Sequence, residues 1–274
     1  MRSVVSGLFT VVAMVCMIVA VPSVWLTQRV VSTDGFVASA SEAAKTSEVQ
    51  DYFSQKVADS IEQASGSKLA SNVALPLAQS YSRTDAFVRD FAEVARQQHD
   101  WLFTQPAPDA DLHLMELDIT PMINDAIKQA SIPVPVSFDR PILVTIDQRQ
   151  ITAGSMEDSG KLVTVAAWVS VIGAIVAALL ALLLAVRRST VLAWLGVGGV
   201  LAGVIGALLA VATKSVVSDR LADTDPSARN TIEVVVGGIS DDLTQLSLLV
   251  GVGGLIVLAV GGVARVVSGR RALA

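Results

Sequence analysis

In 274 residues the chain has one cysteine, two histidines and two tyrosines. Each scarcity removes a class of chemistry. A single cysteine, Cys16, forbids an intrachain disulfide and every C-x-x-C site, so a domain on an oxidising side of a membrane must be held by its core alone. The two histidines, His99 and His113, form neither H-x-x-x-H nor H-E-x-x-H, so a metal held through them needs carboxylates gathered from elsewhere. G-x-S-x-G, S-x-x-K with its partner motifs, and G-x-x-x-x-G-K-[ST] are missing as well. Charged residues are 16% of the chain and there is no basic patch interleaved with aromatics, which argues against nucleic acid as a partner.

The composition is instead 52% hydrophobic, with a mean hydropathy of +0.59, too apolar for an ordinary soluble domain. Four runs carry no charge: 4–25, 162–186, 191–212 and 246–264. At about 1.5 Å per residue each can cross a hydrocarbon core of roughly 30 Å. The only proline in them is Pro22, and they contain no Asp, Glu, Lys, Arg or His. Ion-coupled carriers place ionisable groups within their spans, so these spans read as an anchor and packing platform, not as a pathway.

Arginine sets the expected orientation. Arg2 precedes the first run, Arg187 and Arg188 separate the second from the third, and Arg265, Arg270 and Arg271 follow the fourth. All 25 acidic residues lie in the remaining segments. The positive-inside rule then places both termini in the cytoplasm and residues 27–161 and 213–245 outside. The expected organisation is a signal anchor over 1–26, uncleaved because its apolar run exceeds a signal-peptide core and no A-x-A site follows closely. An extracytoplasmic domain over 27–161 comes next. A transmembrane region of three helices over 162–274 completes the chain, with spans at 162–186, 191–212 and 246–264, an outer helical hairpin at 213–245 and a cytoplasmic tail at 265–274. Trp25 and Trp194 suit the aromatic belts at the membrane interfaces. Gly173, Ala177, Ala181 and Ala185 recur every fourth residue, as do Gly199, Gly203 and Ala207, which is the spacing that lets spans approach closely.

The fold class expected is a mainly α membrane protein with four transmembrane helices, an α-rich outer domain and a small two-stranded β element. "STDGF" at 32–36 reads as a turn or helix start. The helix over 46–61 carries Val49, Tyr52, Phe53, Val57 and Ile61 on one face, with Ser47 and Gln50 as a capping box and Gly66 as its stop. A second helix covers 69–81, weakened by Pro76. A third covers 85–103, capped by Thr84 or Asp85, with Phe87, Val88, Phe91, Ala95 and Leu102 as its stripe. Residues 112–119 and 142–146 are strand candidates, and 132–141 is extended around its prolines. Thr120 and Pro121 fit the N-cap and first position of a fourth helix. In the hairpin, Asp225 caps and Pro226 starts the return helix. Val216, Val217 and Leu221, with Ile232, Val235, Val236, Ile239 and Leu243, are expected to bury two stripes against the large domain.

Five carboxylate and histidine groupings invite a chemical reading. His99 lies on or beside the apolar stripe, which favours a packed, hydrogen-bonded ring over a base or ligand. Glu116 and Asp118 share one face of a strand, as a glycosidase pair does and as the wet face of any half-buried strand does. Asp223 and Asp225 imitate the D-x-D of metal-dependent glycosyltransferases but directly precede Pro226, where a capping turn accounts for them. Asp241 and Asp242 mark the end of a span. His113 stands alone on the first strand candidate.

The first span followed by "STDGFV", the "SEVQDYFSQKV" and "FAEVARQQHDWLF" helices, the "MELDITPMI" step and the three-span C-terminal half together resemble a family of uncharacterised actinobacterial integral membrane proteins. In that family the third helix carries an aromatic residue and then a histidine; here Ala95 stands at the aromatic position, while His99 and "LDITP" fit. The resemblance implies the architecture and no activity, so it assigns no catalytic, cofactor or metal residue. The function expected is therefore a non-enzymatic cell-envelope protein without cofactor, whose outer domain binds a partner protein, lipid or glycan. Its spans would contact membrane lipids and dock with a membrane-protein partner or a second copy. The alternatives are an extracytoplasmic sensor acting through a cytoplasmic partner, and an envelope lipid- or glycan-modifying enzyme resting on Glu116, Asp118, His99 and His113.

Overall fold

The computed structural model describes residues 2–129, 138–147, 151–220 and 226–271. Charge-free apolar runs become long helices: α1 (Arg2–Leu26), α7 (Glu157–Leu184), α8 (Arg188–Arg220) and α9 (Pro226–Arg271). All four are long and apolar enough to cross a membrane. Between α1 and α7 lie α2 (Thr33–Ala44), α3 (Ser47–Ser65), α4 (Lys68–Ser82), α5 (Asp85–Phe103), β1 (Leu114–Asp118), α6 (Thr120–Gln129) and β2 (Leu143–Asp147). One π-helical turn, Thr27–Val31, joins α1 to the segment before α2. The chain divides into two compact units. The first holds Met1–Gln28, Lys161–Val216 and Ile239–Ala274, and the second holds Arg29–Gly160 and Val217–Gly238.

The first unit has small residues inside and large ones outside. Ala13, Ala177, Ala181, Ala202 and Ala210 are buried, whereas Leu8, Trp168, Ile172, Leu249 and Ile256 are exposed. In hydrocarbon a large apolar side chain gains nothing by turning inward, so close backbone approach and dispersion hold such helices together. The four-residue stripe on α7 does this work: Ala177 and Ala181 pack with Ala13 of α1 and with Val191 and Leu195 of α8. Ser6 also donates a hydrogen bond to the Ala181 carbonyl at 2.8 Å. On α8, a Cβ at Gly199 would sit 2.9 Å from Gly254 Cα, and one at Gly203 would sit 2.7 Å from Gly251 Cα. Trp25 is half-buried and packs toward Val21, Ala202 and Leu243, so it is part of this core and not only an interface marker. Leu243, expected against the large domain, is buried in the same cluster of the first unit. α8 runs on to Arg220 and α9 starts at Pro226, while Leu221, Asp223 and Asp225 lie outside the described residues.

The second unit is built around aromatic rings. Phe87 contacts Phe53 at 4.8 Å, and Tyr81 and Phe91 at 5.6 Å, between ring centroids. Ala44 and Met122 complete the buried centre. α5 occupies the expected residues because Thr84 caps it, its hydroxyl oxygen accepting the Phe87 N–H at 3.3 Å. α3 stops at Gly66, whose φ of 65° is the left-handed geometry that favours glycine.

The helix start at 32–36 holds, and it opens a full helix, α2, capped by Ser32, whose hydroxyl oxygen accepts the Gly35 N–H. Several other local expectations give way to neighbours. The Ser47–Gln50 capping box does not form. α2 ends only three residues earlier, and Gln50 donates instead to the Ala44 carbonyl, one of the orphan groups at that helix end. Pro76 lies inside α4 without ending it, because α4 packs along most of α3. Thr120 is the first residue of α6 and not its cap. Asp118 takes the capping role, accepting the Thr120 N–H at 2.9 Å and its hydroxyl as well. The Thr120 oxygen in turn accepts the Ile142 N–H.

β1 and β2 pair antiparallel, with Glu116 opposite Thr145. Met115 and Leu117 turn inward. The other edge of β1 is met by α5 side chains. Gln97 accepts the Asp118 N–H at 2.7 Å and donates to the Asp118 carbonyl at 3.2 Å, and Trp101 donates to the Leu114 carbonyl. A two-stranded sheet is marginal by itself, and here a helix supplies the missing edge partners. Of the stretch 132–141, only 138–141 is among the described residues; there Phe138 is tied to Asn124 by two hydrogen bonds.

The Asp118 cap makes a testable difference with pH. Its hydrogen bonds from Thr120 hold the carboxyl below the ordinary range. A depressed folded-state value means the contribution is present above the unfolded value, about 3.9, and is lost as pH falls through the folded one. Asp118→Ala is expected to cost about 1 kcal/mol at neutral pH. That cost is expected to shrink as pH falls through the depressed folded value. Thermal melts of the full chain across pH check this.

Candidate functional site

His99 is buried, and its surroundings explain it. Nε2 lies 3.0 Å from the Val31 carbonyl, which can only accept, so in the neutral ring Nε2 carries the hydrogen. Nδ1 then accepts from the Thr33 hydroxyl at 3.3 Å. The ring stacks on Phe103 at 4.5 Å and lies 5.3 Å from Phe36. His99 thus pins α5 to the π turn and the start of α2. The α5 end is closed by the segment before α7: Gly154 and Met156 donate backbone N–H groups to the carbonyls of Trp101 and Leu102. These are the orphan carbonyls of a helix end. His99→Ala is expected to lower domain stability by about 2 kcal/mol, through two lost hydrogen bonds and a lost stack. Imidazole 15N shifts are expected to report the Nε2–H tautomer, and a Nδ1–H ring would contradict the geometry.

The other singled-out residues do not gather around it. His113 lies on an exposed turn, its N–H donating to Asp111. Glu116 points outward and lines an open hollow of about 680 Å³ with Asp100, Trp101 and Asp111. Asp118 is engaged as a cap. Asp241 pairs with Lys214 at 2.7 Å. Asp223 and Asp225 lie outside the described residues. Among the described residues, no group of three His, Cys, Asp or Glu side chains is placed to hold a metal ion.

A buried polar pair was not anticipated from the sequence. The Tyr81 hydroxyl donates to Asp90 at 2.7 Å, and both side chains are buried. Burial first, and then the Asp90 carboxylate, push the Tyr81 phenol far up. Arg89 reaches Asp90 at 3.5 Å and also pairs with Asp125, joining α5 to α6. The signal was present: Asp90 stands on the α5 stripe, three residues after Phe87, where a charge demands a buried partner.

Above this pair the domain opens into an apolar groove of about 240 Å³. Phe53, Val57 and Ile61 of α3 form one wall, four residues apart. Leu77 and Tyr81 of α4 and Ile123 and Ile127 of α6 form the others. The Tyr81 hydroxyl is turned to Asp90, so the groove presents almost no polar group. The apolar surface continues along α4, where Leu69, Val73 and Leu77 are 74%, 61% and 45% exposed at four-residue spacing. Four-residue spacing puts these three on one helix face, a stripe about 12 Å long. Comparison with protein-family models, with curated proteins and with solved structures finds no match.

Proposed function

We propose that this chain is a membrane-anchored binding protein, and that its helical domain takes an amphipathic helix of a partner protein in the groove between α3, α4 and α6. The observation that carries the reading is the groove continuing into the exposed Leu69, Val73 and Leu77 stripe. A contiguous exposed apolar surface marks an interaction site, and anchors at helical spacing lying in a groove are how such surfaces are filled. A glycan would need convergent hydrogen-bonding groups, which this lining lacks. The residues from 27 to 161 carry 19 acidic and 11 basic side chains, so basic flanks on the partner helix complement the domain. The arginine asymmetry supports an extracytoplasmic position for the domain.

The test is photo-crosslinking in cells from a benzoylphenylalanine at position 77, with full-length protein. One discrete protein adduct is expected, and Val57→Glu is expected to remove at least nine-tenths of it while leaving membrane insertion and melting temperature unchanged. Adducts to lipid alone, or a protein adduct indifferent to Val57→Glu, would overturn the proposal.

A further inference from the structure

The open hollow at the end of α5 shares no lining residue with the apolar groove. Its volume of about 680 Å³ falls within the roughly 300–1,000 Å³ of small-molecule sites. Backbone ties fix its walls. Leu114 donates its N–H to the Asp111 carbonyl, Ala153 to that of Leu112, and Gly154 to that of Trp101. Gly154 has a φ of 71°, and a Cβ on it would sit 2.8 Å from Pro106 Cδ. Only glycine lets this segment close against Pro106, which lines the hollow. The cavity is therefore formed before a ligand arrives, and binding does not have to order its loops.

Trp101 is its aromatic wall. The indole N–H donates to the Leu114 carbonyl at 3.1 Å, so the ring is held in place and what it offers the hollow is carbon surface. Around that ring stand Asp100 from α5, Asp111 from the loop and Glu116 from β1, all exposed. Among the described residues no Lys, Arg or His lines the hollow. An anionic ligand would meet three like charges. A purely apolar ligand would strip water from three carboxylates. A small cation would gain only exposed ion pairs, which contribute little and fade with salt. What fits is a neutral ligand with a carbon-rich face and a rim of hydroxyls. Those hydroxyls donate to the carboxylates in charge-assisted hydrogen bonds, while the C–H face lies on the indole.

We infer that this hollow is a saccharide-binding site, with a neutral pyranose ring stacked on Trp101 and its hydroxyls held by Asp100, Asp111 and Glu116. The site is separate from the groove and its partner helix, and neither reading needs the other. Glu116 is the residue that isolates recognition from folding. It stands on the outer face of β1, whereas Met115 and Leu117 carry the inward packing of the strand. Trp101 cannot serve so cleanly, because its N–H also closes the edge of β1.

The experiment is NMR of the full chain with 15N-labelled tryptophan, in nanodiscs free of glycoside detergent. The four indole N–H signals are followed during titration with maltotriose, mannotriose or chitotriose, and Trp101→Phe assigns the signal of interest. At least one of the three sugars is expected to bind with a Kd of about 1 mM or tighter and to move the Trp101 signal. Glu116→Ala is expected to weaken that binding at least about fivefold, with an unchanged melting temperature. Raised salt is expected to leave the affinity unchanged, as it must for a neutral ligand. Tetramethylammonium chloride at the same concentration is expected to leave the Trp101 signal in place. No Trp101 shift with any of the three sugars, binding lost on raising salt, indifference to Glu116→Ala, or a Trp101 shift with tetramethylammonium would each overturn the inference.

Discussion

Gly203→Leu is expected to abolish folding of the membrane-spanning unit, by more than about 4 kcal/mol, a loss found only where a change meets something that cannot move. A Cβ at position 203 would lie 2.6 Å from the Ser247 carbonyl oxygen and 2.7 Å from Gly251 Cα. Both are backbone atoms inside α9, so relief requires the two helices to separate along their length. Separation would also undo the contacts of Gly199 with Gly254, and expose Ser247, which is fully buried against Gly206. Gly253→Ala on the same helix is the matched control: a Cβ there meets nothing within 4 Å, and alanine is the better helix former. Fluorescence-detected size exclusion after a heat ramp, on full-length variants in detergent, checks both. A monodisperse Gly203→Leu protein with wild-type melting would mean that α8 and α9 do not pack through these glycines.

How far such contacts were legible depends on whether a signal is local. Four charge-free runs identify four long helices because nothing but a helix satisfies the backbone in hydrocarbon. The Gly199 and Gly203 spacing pointed to close packing, but the partner glycines on α9 are separated from them by some fifty residues and carry no mark of their own. The same divide runs through the helical domain. α5 could be bounded from the sequence because Thr84 and the prolines after Gln105 act within one turn of its ends. α2 could not, since Gly35 and a mixture of alanine and serine give no stripe. Gln50 was assigned to Ser47 by spacing, and went instead to the end of α2, which only the fold brings near. Gln97 and Trp101 closing the edge of β1 are of the same kind. The groove was hidden for another reason. Val49, Phe53, Val57 and Ile61 form one apolar face of α3, and periodicity says only that the face exists. The fold buries Val49 and leaves Val57 and Ile61 half-covered. The half-covered part is where a partner can bind.

Phe87→Ala is expected to cost the helical domain about 3–5 kcal/mol, the range for removing a fully buried phenylalanine. Phe87 is 0% exposed and its ring meets Phe53, Tyr81 and Phe91, so no neighbour can fill the gap without abandoning another contact. Tyr81 would suffer most: its ring stands edge-on to Phe87, and its hydroxyl holds the buried Asp90. A loosened Tyr81 leaves that carboxylate short of a donor, a further cost of about 1–3 kcal/mol if the bond breaks. Phe87→Leu keeps most of the volume and is expected to cost less than half as much. The comparison also separates stability from recognition. Phe53 and Tyr81 line the groove and rest on Phe87, so Phe87→Ala removes its floor, and crosslinking from position 77 should fall together with the melting temperature. Val57→Glu touches the half-covered wall instead, and crosslinking should fall alone. Hydrogen exchange of α3 to α6 in the full chain gives the decisive reading. Phe87→Ala should speed exchange through all four helices, and Val57→Glu should leave it unchanged. If both variants lose crosslinking and protection to the same degree, the groove is ordinary core surface and has no partner to hold.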